Sequence, residues 1–306
     1  MKNSLIQPLH KAPGLPRLLI LGCGDVGMRL LPLLRSRFRV FAVTSRPERC
    51  AELRAAGAIP VVADLDDRAS LRRLAGLAPW IVHLAPPQSS GLLDRRTRNL
   101  AAILPEHARL VYVSTSGVYG DCGGEKIDET RTPAPSNARA RRRLDAETVL
   151  RAWGARRTAR LAILRVPGIY AADRLPLKRL REGTPALAEP DDVHTNHIHA
   201  EDLARIVLRA LWRLKGGGRL YHASDDSDMK MAAYFDAVAD AFGLPRPPRL
   251  PREELRHVVT PMLLSFMSES RRMDNTRLKR ELGVRLCYPR VADALQMLTD
   301  GTPGIS

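Results

Sequence analysis

Short apolar runs recur along the first half of the chain, and the segments between them carry apolar residues at helical spacing. Leu18 to Leu21, Arg39 to Thr44, Ala58 to Asp64, Trp80 to Ala85, Arg109 to Ser114 and Arg160 to Arg165 read as strands. Their interiors are apolar without strict alternation, as in strands buried on both faces, so the pattern predicts a parallel sheet with helices on either side. Helices are expected over Met28 to Leu34, over Cys50 to Ala56 with Gly57 closing it, and through Trp153. Pro86 and Pro87 end the fourth strand, and a polar, proline-containing loop from Gly120 to Ala138 precedes the helix that contains Trp153. After Pro167 the rhythm breaks into shorter elements with many prolines, as in a smaller domain placed over the strand ends. The fold class that follows is α/β, a doubly wound parallel sheet with a smaller C-terminal domain.

The turn after the first strand reads Gly22-Cys23-Gly24-Asp25-Val26-Gly27. Between a strand and a helix this spacing has a mechanical meaning. The first glycine permits a tight turn, the second lets backbone approach a pyrophosphate, and the third lets the helix pack against the strand. First-turn N–H groups then face the anion. The prediction is a Rossmann-type dinucleotide site.

With 306 residues, 44% of them hydrophobic, the chain can form one large or two small domains with a sizeable core. No apolar run is long enough to span a membrane, and the first 17 residues lack the continuous apolar core of a signal peptide. Cys23, Cys50, Cys122 and Cys287 are far apart and form no CxxC pair, so neither a metal site nor a disulfide scaffold is indicated, and the cytoplasm is the expected location. The net charge of +16 raises the question of a nucleic-acid partner. The arginines, however, are spread over nearly every segment, with the densest cluster at Arg139 to Arg143, and no aromatic-rich RNA-binding signature accompanies them. No specific nucleic-acid site is expected.

Further landmarks follow in order. They are Thr115-Ser116-Gly117-Val118-Tyr119-Gly120 after the fifth strand, Asp128-Glu129 in the loop, Glu147 in the next helix, Arg165 to Tyr170, and His197 to Ala204. On these residues the chain resembles the extended short-chain dehydrogenase/reductases, the NAD-dependent epimerase/dehydratase family, from about residue 17 to about residue 300. The most similar sub-group is the atypical bacterial one containing YeeZ, which has GxGxxG where the main family has GxxGxxG. The resemblance implies a tail over residues 1–16, an NAD(P)-binding domain over 17–170 and a substrate-binding region over 171–306, with segments near 193–223 returning to the first domain. It implies a small-molecule substrate and leaves a homodimer open.

An acidic residue at the end of the second strand in this fold bonds the ribose 2′-hydroxyl, and a basic one accommodates the 2′-phosphate of NADP. Here the segment is Thr44-Ser45-Arg46-Pro47, so NADP is expected to be preferred, with NAD remaining open. The resemblance adds Asp64 and Leu65 beside the adenine, Leu84, Ala85 and Pro86 along the cofactor, and Ser114, Val166 and Pro167 near it. His83, apolar-flanked at the end of a buried strand, reads as a core histidine.

Active members of the family use a Ser/Thr after the fifth strand and a Tyr-x-x-x-Lys pair on the following helix. Counting from Tyr119 and Glu147 puts the Ser/Thr at Thr115, the tyrosine position at Arg139 and the lysine position at Arg143. An arginine stays protonated near neutral pH, so Arg139 is a poor proton donor or acceptor, although Arg143 can still hold a ribose or phosphate. Tyr119 is a conceivable stand-in if Arg143 lowers its pKa; the alternative is a packing residue under the loop. Tyr170, Arg174, Asn196, His197 and Arg271 fall at substrate-side landmarks, and the arginines there suit an anionic ligand. Two functions stay open: an NADP-dependent oxidoreductase or epimerase-like enzyme with a nonstandard proton donor, and a dinucleotide-binding sensor or partner-binding protein with little turnover.

Overall fold

The computed structural model describes residues 14–157, 159–214 and 216–300, so the expected tail lies outside the described residues up to residue 13. β1 (Arg17–Leu21), α1 (Asp25–Leu34), β2 (Arg39–Thr44), α2 (Cys50–Ala55), β3 (Ile59–Val62) and β4 (Trp80–His83) build the first half of a sheet. α3 (Arg95–Ala101), β5 (Arg109–Thr115), the short β6 (Lys126–Ile127), α4 (Ala138–Arg156) and β7 (Arg160–Val166) follow. The chain then forms β8 (Gly168–Tyr170), α5 (Leu177–Arg181), β9 (Ala186–Leu187), β10 (His194–Thr195) and β11 (His197–His199), and returns through α6 (Ala200–Arg213) to β12 (Gly217–His222).

Seven strands make one parallel sheet in the order β12-β7-β5-β4-β1-β2-β3. The order reverses between β1 and β4, which opens a crevice at their carboxyl ends, where ligands bind in sheets of this kind. β12 is a seventh strand that the hydrophobic pattern does not predict. Only Leu220 and Tyr221 are apolar in it, because it lies at the sheet edge. No α-helix joins β3 to β4; a 3₁₀ stretch over Ser70–Leu74 takes that place. β6, inside the expected loop, pairs with Arg272–Met273 from the C-terminal lobe.

Each face of the sheet is sealed by helices with the right apolar stripe. Leu30, Leu31 and Leu34 of α1 and Leu203, Val207 and Ala210 of α6 share one core with Leu18, Ile20 and Val82. On the other face Ala146, Leu150 and Trp153 of α4, at i, i+4 and i+7, pack with Leu110, Tyr112 and Ile163. A third core, including Leu180, Phe235, Val238 and Leu295, holds the C-terminal lobe. At the amino end of the strands, Phe38, Trp80 and Trp212 cluster with edge-on and tilted rings, centroids 5.2, 5.2 and 5.3 Å apart, and the Arg109 guanidinium lies 4.4 Å from the Trp80 ring.

Three histidines are buried neutral: burial lowers His83 to about 3, and His197 and His222 to about 4. Burial raises Asp225 to about 7. Burial also lowers His199 and raises Glu129 and Asp192, while hydrogen-bond and ion-pair partners lower Glu52, Asp66, Asp128, Asp240 and Asp274. As pH falls from about 6.5 to 4, the unfolded chain takes up protons on imidazoles that the folded chain keeps neutral, against the protons that the raised carboxyls already hold. The depressed imidazoles and carboxylates outnumber the raised carboxyls, so we expect stability to decline across that window with net proton uptake on unfolding. Urea midpoints measured between pH 7 and 4.5 that stay constant or rise would contradict this.

Candidate functional site

Gly22 takes φ +80°, and a Cβ there would sit 2.5 Å from the Ala85 Cα, so only glycine lets the β1–α1 turn pass the end of β4 this closely. A Cβ on Gly27 would meet the Cys23 sulfur at 2.9 Å, whereas a Cβ on Gly24 would meet nothing within 4 Å. The middle glycine therefore opens onto free space at the start of α1, where first-turn N–H groups lack helical partners. A groove of about 370 Å³ runs from Gly22, Cys23 and Gly24 across Thr44, Ser45 and Arg46 to Asp64, Leu65, Leu84, Ala85 and Pro86. Asp25, Val26 and Gly27 continue the turn into α1. Thr44 is nearly buried, and its hydroxyl both accepts from the Arg46 N–H and donates to the Arg46 carbonyl, so it shapes the turn and leaves Ser45 and Arg46 as the exposed donors.

A second cavity, of about 480 Å³, lies beyond the end of β5 and is lined in part by Thr115, Arg139, Pro167, Arg174, Asn196 and Arg271. Thr115 Oγ1 accepts from the Gly117 N–H at 3.3 Å, which leaves its own proton to donate. Arg143, expected at both the cofactor and the catalytic position, lines neither the groove nor the cavity: its Nη1 turns back to the strand ends, donating to the Val113 carbonyl at 3.0 Å, the Tyr112 hydroxyl at 3.2 Å and the carbonyl of the groove residue Ala85 at 3.4 Å. Arg139 lies one turn earlier on α4 with its guanidinium 5.0 Å from the Phe266 ring. Desolvation and the neighbouring Arg143 hold its pKa below the usual arginine value.

Of the two roles open to Tyr119, its surroundings are those of the packing residue and not of the stand-in acid. It is 1% exposed and does not line the cavity; its neighbour is Arg165, 4.5 Å from its ring, not Arg143. Its hydroxyl bonds His222 Nε2, and because His222 Nδ1 faces the Asp274 carbonyl, the imidazole proton sits on Nδ1 and the phenol donates. Burial pushes this phenol up to about 12, opposite to the lowering expected of a working acid. Tyr170 and His197 are likewise buried away from the cavity, His197 stacked on Tyr234 at 4.3 Å. The Ser114 hydroxyl is taken up by Glu147 at 2.6 Å, and the Val166 side chain is part of the core. Asn196 lines the cavity but spends both ends of its amide on the main chain of Arg271 and Met273. Beneath these residues Glu147 accepts two bonds from Arg165, at 2.7 and 3.1 Å, in full burial.

Sequence reasoning missed several lining residues. Arg49 rims the groove by donating to the Cys23 carbonyl at 2.8 Å, and Arg96 by donating to the Pro86 carbonyl at 3.0 Å. His194, Phe266 and Glu269 line the cavity from segments whose sequence carries no motif. Arg174, expected only on the substrate side, also donates to Asp25 of the fingerprint at 2.8 Å, and Arg29 reaches Asp173 in return. Among the described residues no group of side chains is arranged to hold a metal ion, and no helix is long and apolar enough to cross a membrane.

Residues 18–222 match the model of the NAD dependent epimerase/dehydratase family. No curated protein matches the chain. Among solved structures, a functionally unknown conserved protein from Silicibacter pomeroyi is 30% identical, with 94% of this chain and 99% of that one covered and a TM-score of 0.79. A UDP-N-acetylglucosamine 4-epimerase from Bacillus cereus is 16% identical with a TM-score of 0.68, covering 93% of this chain and 98% of that one. MoeE5, solved with UDP-glucose and NAD, is 19% identical with a TM-score of 0.69 over 93% of this chain and 97% of that one.

Tyr119→Phe is expected to destabilise the fold by about 1–3 kcal/mol, because it strands the buried His222 Nε2 without a donor. Dinucleotide affinity is expected to stay unchanged. Urea unfolding and calorimetric titration measure the two; lost affinity at unchanged stability would return Tyr119 to the site.

Proposed function

The chain belongs to the NAD dependent epimerase/dehydratase family, and on that premise we propose that it is an NADP-preferring oxidoreductase or epimerase-like enzyme working without the family's Tyr-x-x-x-Lys relay. The observation that carries the reading is the groove at the β1–β4 crevice. It brings the open Gly24, the exposed Ser45 and Arg46 and the wall of Leu65 and Ala85 into one continuous surface. These residues fit a dinucleotide: first-turn N–H groups of α1 for a pyrophosphate, and Arg46 with Ser45 for a 2′-phosphate. Glu48, the first carboxylate after β2, comes only beyond Pro47. The GxGxxG spacing supports a place in the sub-group containing YeeZ.

A nicotinamide, when bound, accepts or gives a hydride. The chain's own residues then orient the reactant and manage the proton. Arg143, fixed by three acceptors at the strand ends, presents a permanent positive charge where the relay lysine would stand. Thr115 offers a hydroxyl proton to the cavity. Arg139 keeps its proton and so stabilises negative charge without transferring anything. The same two arginines favour a second reading, a dinucleotide-binding sensor or partner-binding protein with little turnover.

Calorimetry is expected to show NADP binding about tenfold to a hundredfold more tightly than NAD, with the difference lost in Arg46→Ala. Equal affinities in the native chain, or a preference that survives the substitution, would refute the assignment. Reduction of a small carbonyl by NADPH is expected to be slow in the native chain. It should rise in Arg139→Tyr/Arg143→Lys, since a positioned proton donor contributes about 10² to 10⁴ in rate. Native turnover that the double change abolishes would show the arginines themselves at work.

A further inference from the structure

Resting on that reading of the cleft, we propose that the cavity beside Thr115 holds an oxyanion of the substrate between Arg139 and Arg271, which makes the substrates small organic acids or phosphate esters. Arg271 supplies the first observation. It is 9% exposed, and its Nη1 is committed to the Gly120 carbonyl and to Glu269, yet its Nε–H has no acceptor. A buried guanidinium N–H without an acceptor is a standing cost, and Arg271 is one of the residues that line the cavity.

Arg139 supplies the second. It lies in the first turn of α4, with its guanidinium over the Phe266 ring at 5.0 Å. The cavity's carboxylate, Glu269, is already engaged by Arg271 at 2.8 Å and by the Ser136 hydroxyl at 2.5 Å. Arg143 and Arg142 on the same helix add like charge beside Arg139, which Glu269 offsets only in part because it also neutralises Arg271. A bound anion relieves that repulsion.

The surroundings agree in sign and in shape. Three arginines and one glutamate line the cavity; Arg174 is paired with Asp25 and Arg271 with Glu269, so the uncompensated charge falls at Arg139, and Arg271 adds its unpartnered Nε–H. The 19-residue α4 points its amino end at the same place, with Asn137 capping the Ala140 N–H. Phe266, 46% exposed, and Met231 form an apolar wall for the carbon part of such a ligand. Guanidinium forks match both planar carboxylate and tetrahedral phosphate oxygens, so the shared chemistry is an oxyanion.

The test is calorimetric titration of the full chain, saturated with NADP, using malonate in one arm and inorganic phosphate in the other. Saturation fills the groove, so the anion cannot bind at Arg46 or at the α1 terminus. We expect at least one of the two anions to bind, with affinity falling about tenfold to a hundredfold in Arg139→Gln and again in Arg271→Lys, while NADP affinity is unchanged. The arm that binds more tightly identifies carboxylate or phosphate. No anion binding to the loaded protein, or binding indifferent to Arg139→Gln, overturns the proposal. If NADP itself does not bind, the cofactor reading fails separately. The same titration of the unloaded chain then decides the oxyanion site through its dependence on Arg139.

Discussion

Glu147 and Arg165 form a bidentate ion pair that water does not reach, with side chains 1% and 3% exposed. Removing two charges from water is so costly that such a pair persists only with near-ideal geometry and further bonds to the remaining lone pairs. Glu147 has such a bond from Ser114; on the other side Arg165 lies against the Tyr119 ring, whose hydroxyl continues to His222, and the Arg165 Nη1 is left without an acceptor. One chain of contacts thus ties α4 to β5, β7 and β12, and it fixes how α4 is rotated on the sheet. Positions 139, 143 and 147 share one stripe of that helix, so anchoring the last presents the first two at the strand ends. Truncating either partner would strand a buried charge, at about 3–5 kcal/mol.

The C-terminal lobe is held to this frame by polar, main-chain and apolar contacts of unequal weight. Arg174 and Asp173 exchange ion pairs with Asp25 and Arg29 across the mouth of the fingerprint turn, all of them partly exposed and so each worth little. Asn196 does more, because its amide satisfies main-chain groups on both sides of Arg272. Main-chain pairing of Arg272–Met273 with β6 and the packing of Leu278, Leu282 and Val284 into the sheet's own core complete the attachment, while the lobe's separate core lies farther away.

The sheet was legible because its central strands are continuous apolar runs and its first turn demands glycine. Gly22 and Gly27 carry steric requirements that leave a mark in sequence. β12 left none, being an edge strand with glycine and arginine in its first half. The groove side of the site was readable for the same reason: its residues lie at strand ends, whose positions follow from the strands. The cavity side was not. Phe266, Glu269 and His194 come from short elements placed by tertiary contacts, and no local pattern says which way they face. Tyr119 misled because its neighbour in space is Arg165, reached through β7, not the arginine that counting along α4 suggests.

The aromatic cluster at the amino end of the sheet has an optical consequence. Two of the chain's three tryptophans, Trp80 and Trp212, lie in it with centroids 5.2 Å apart, and Trp153 is carried by α4 into the core on the opposite face of the sheet. Neither the groove nor the cavity is lined by an indole. Two of the three indoles thus lie as a close pair at the far edge of the molecule, partly exposed through Trp212 and, at Trp80, covered by the Arg109 cation; emission from that pair comes from this edge. It reports on how α1 and α6 close that end of the sheet, and it is almost blind to events at the crevice.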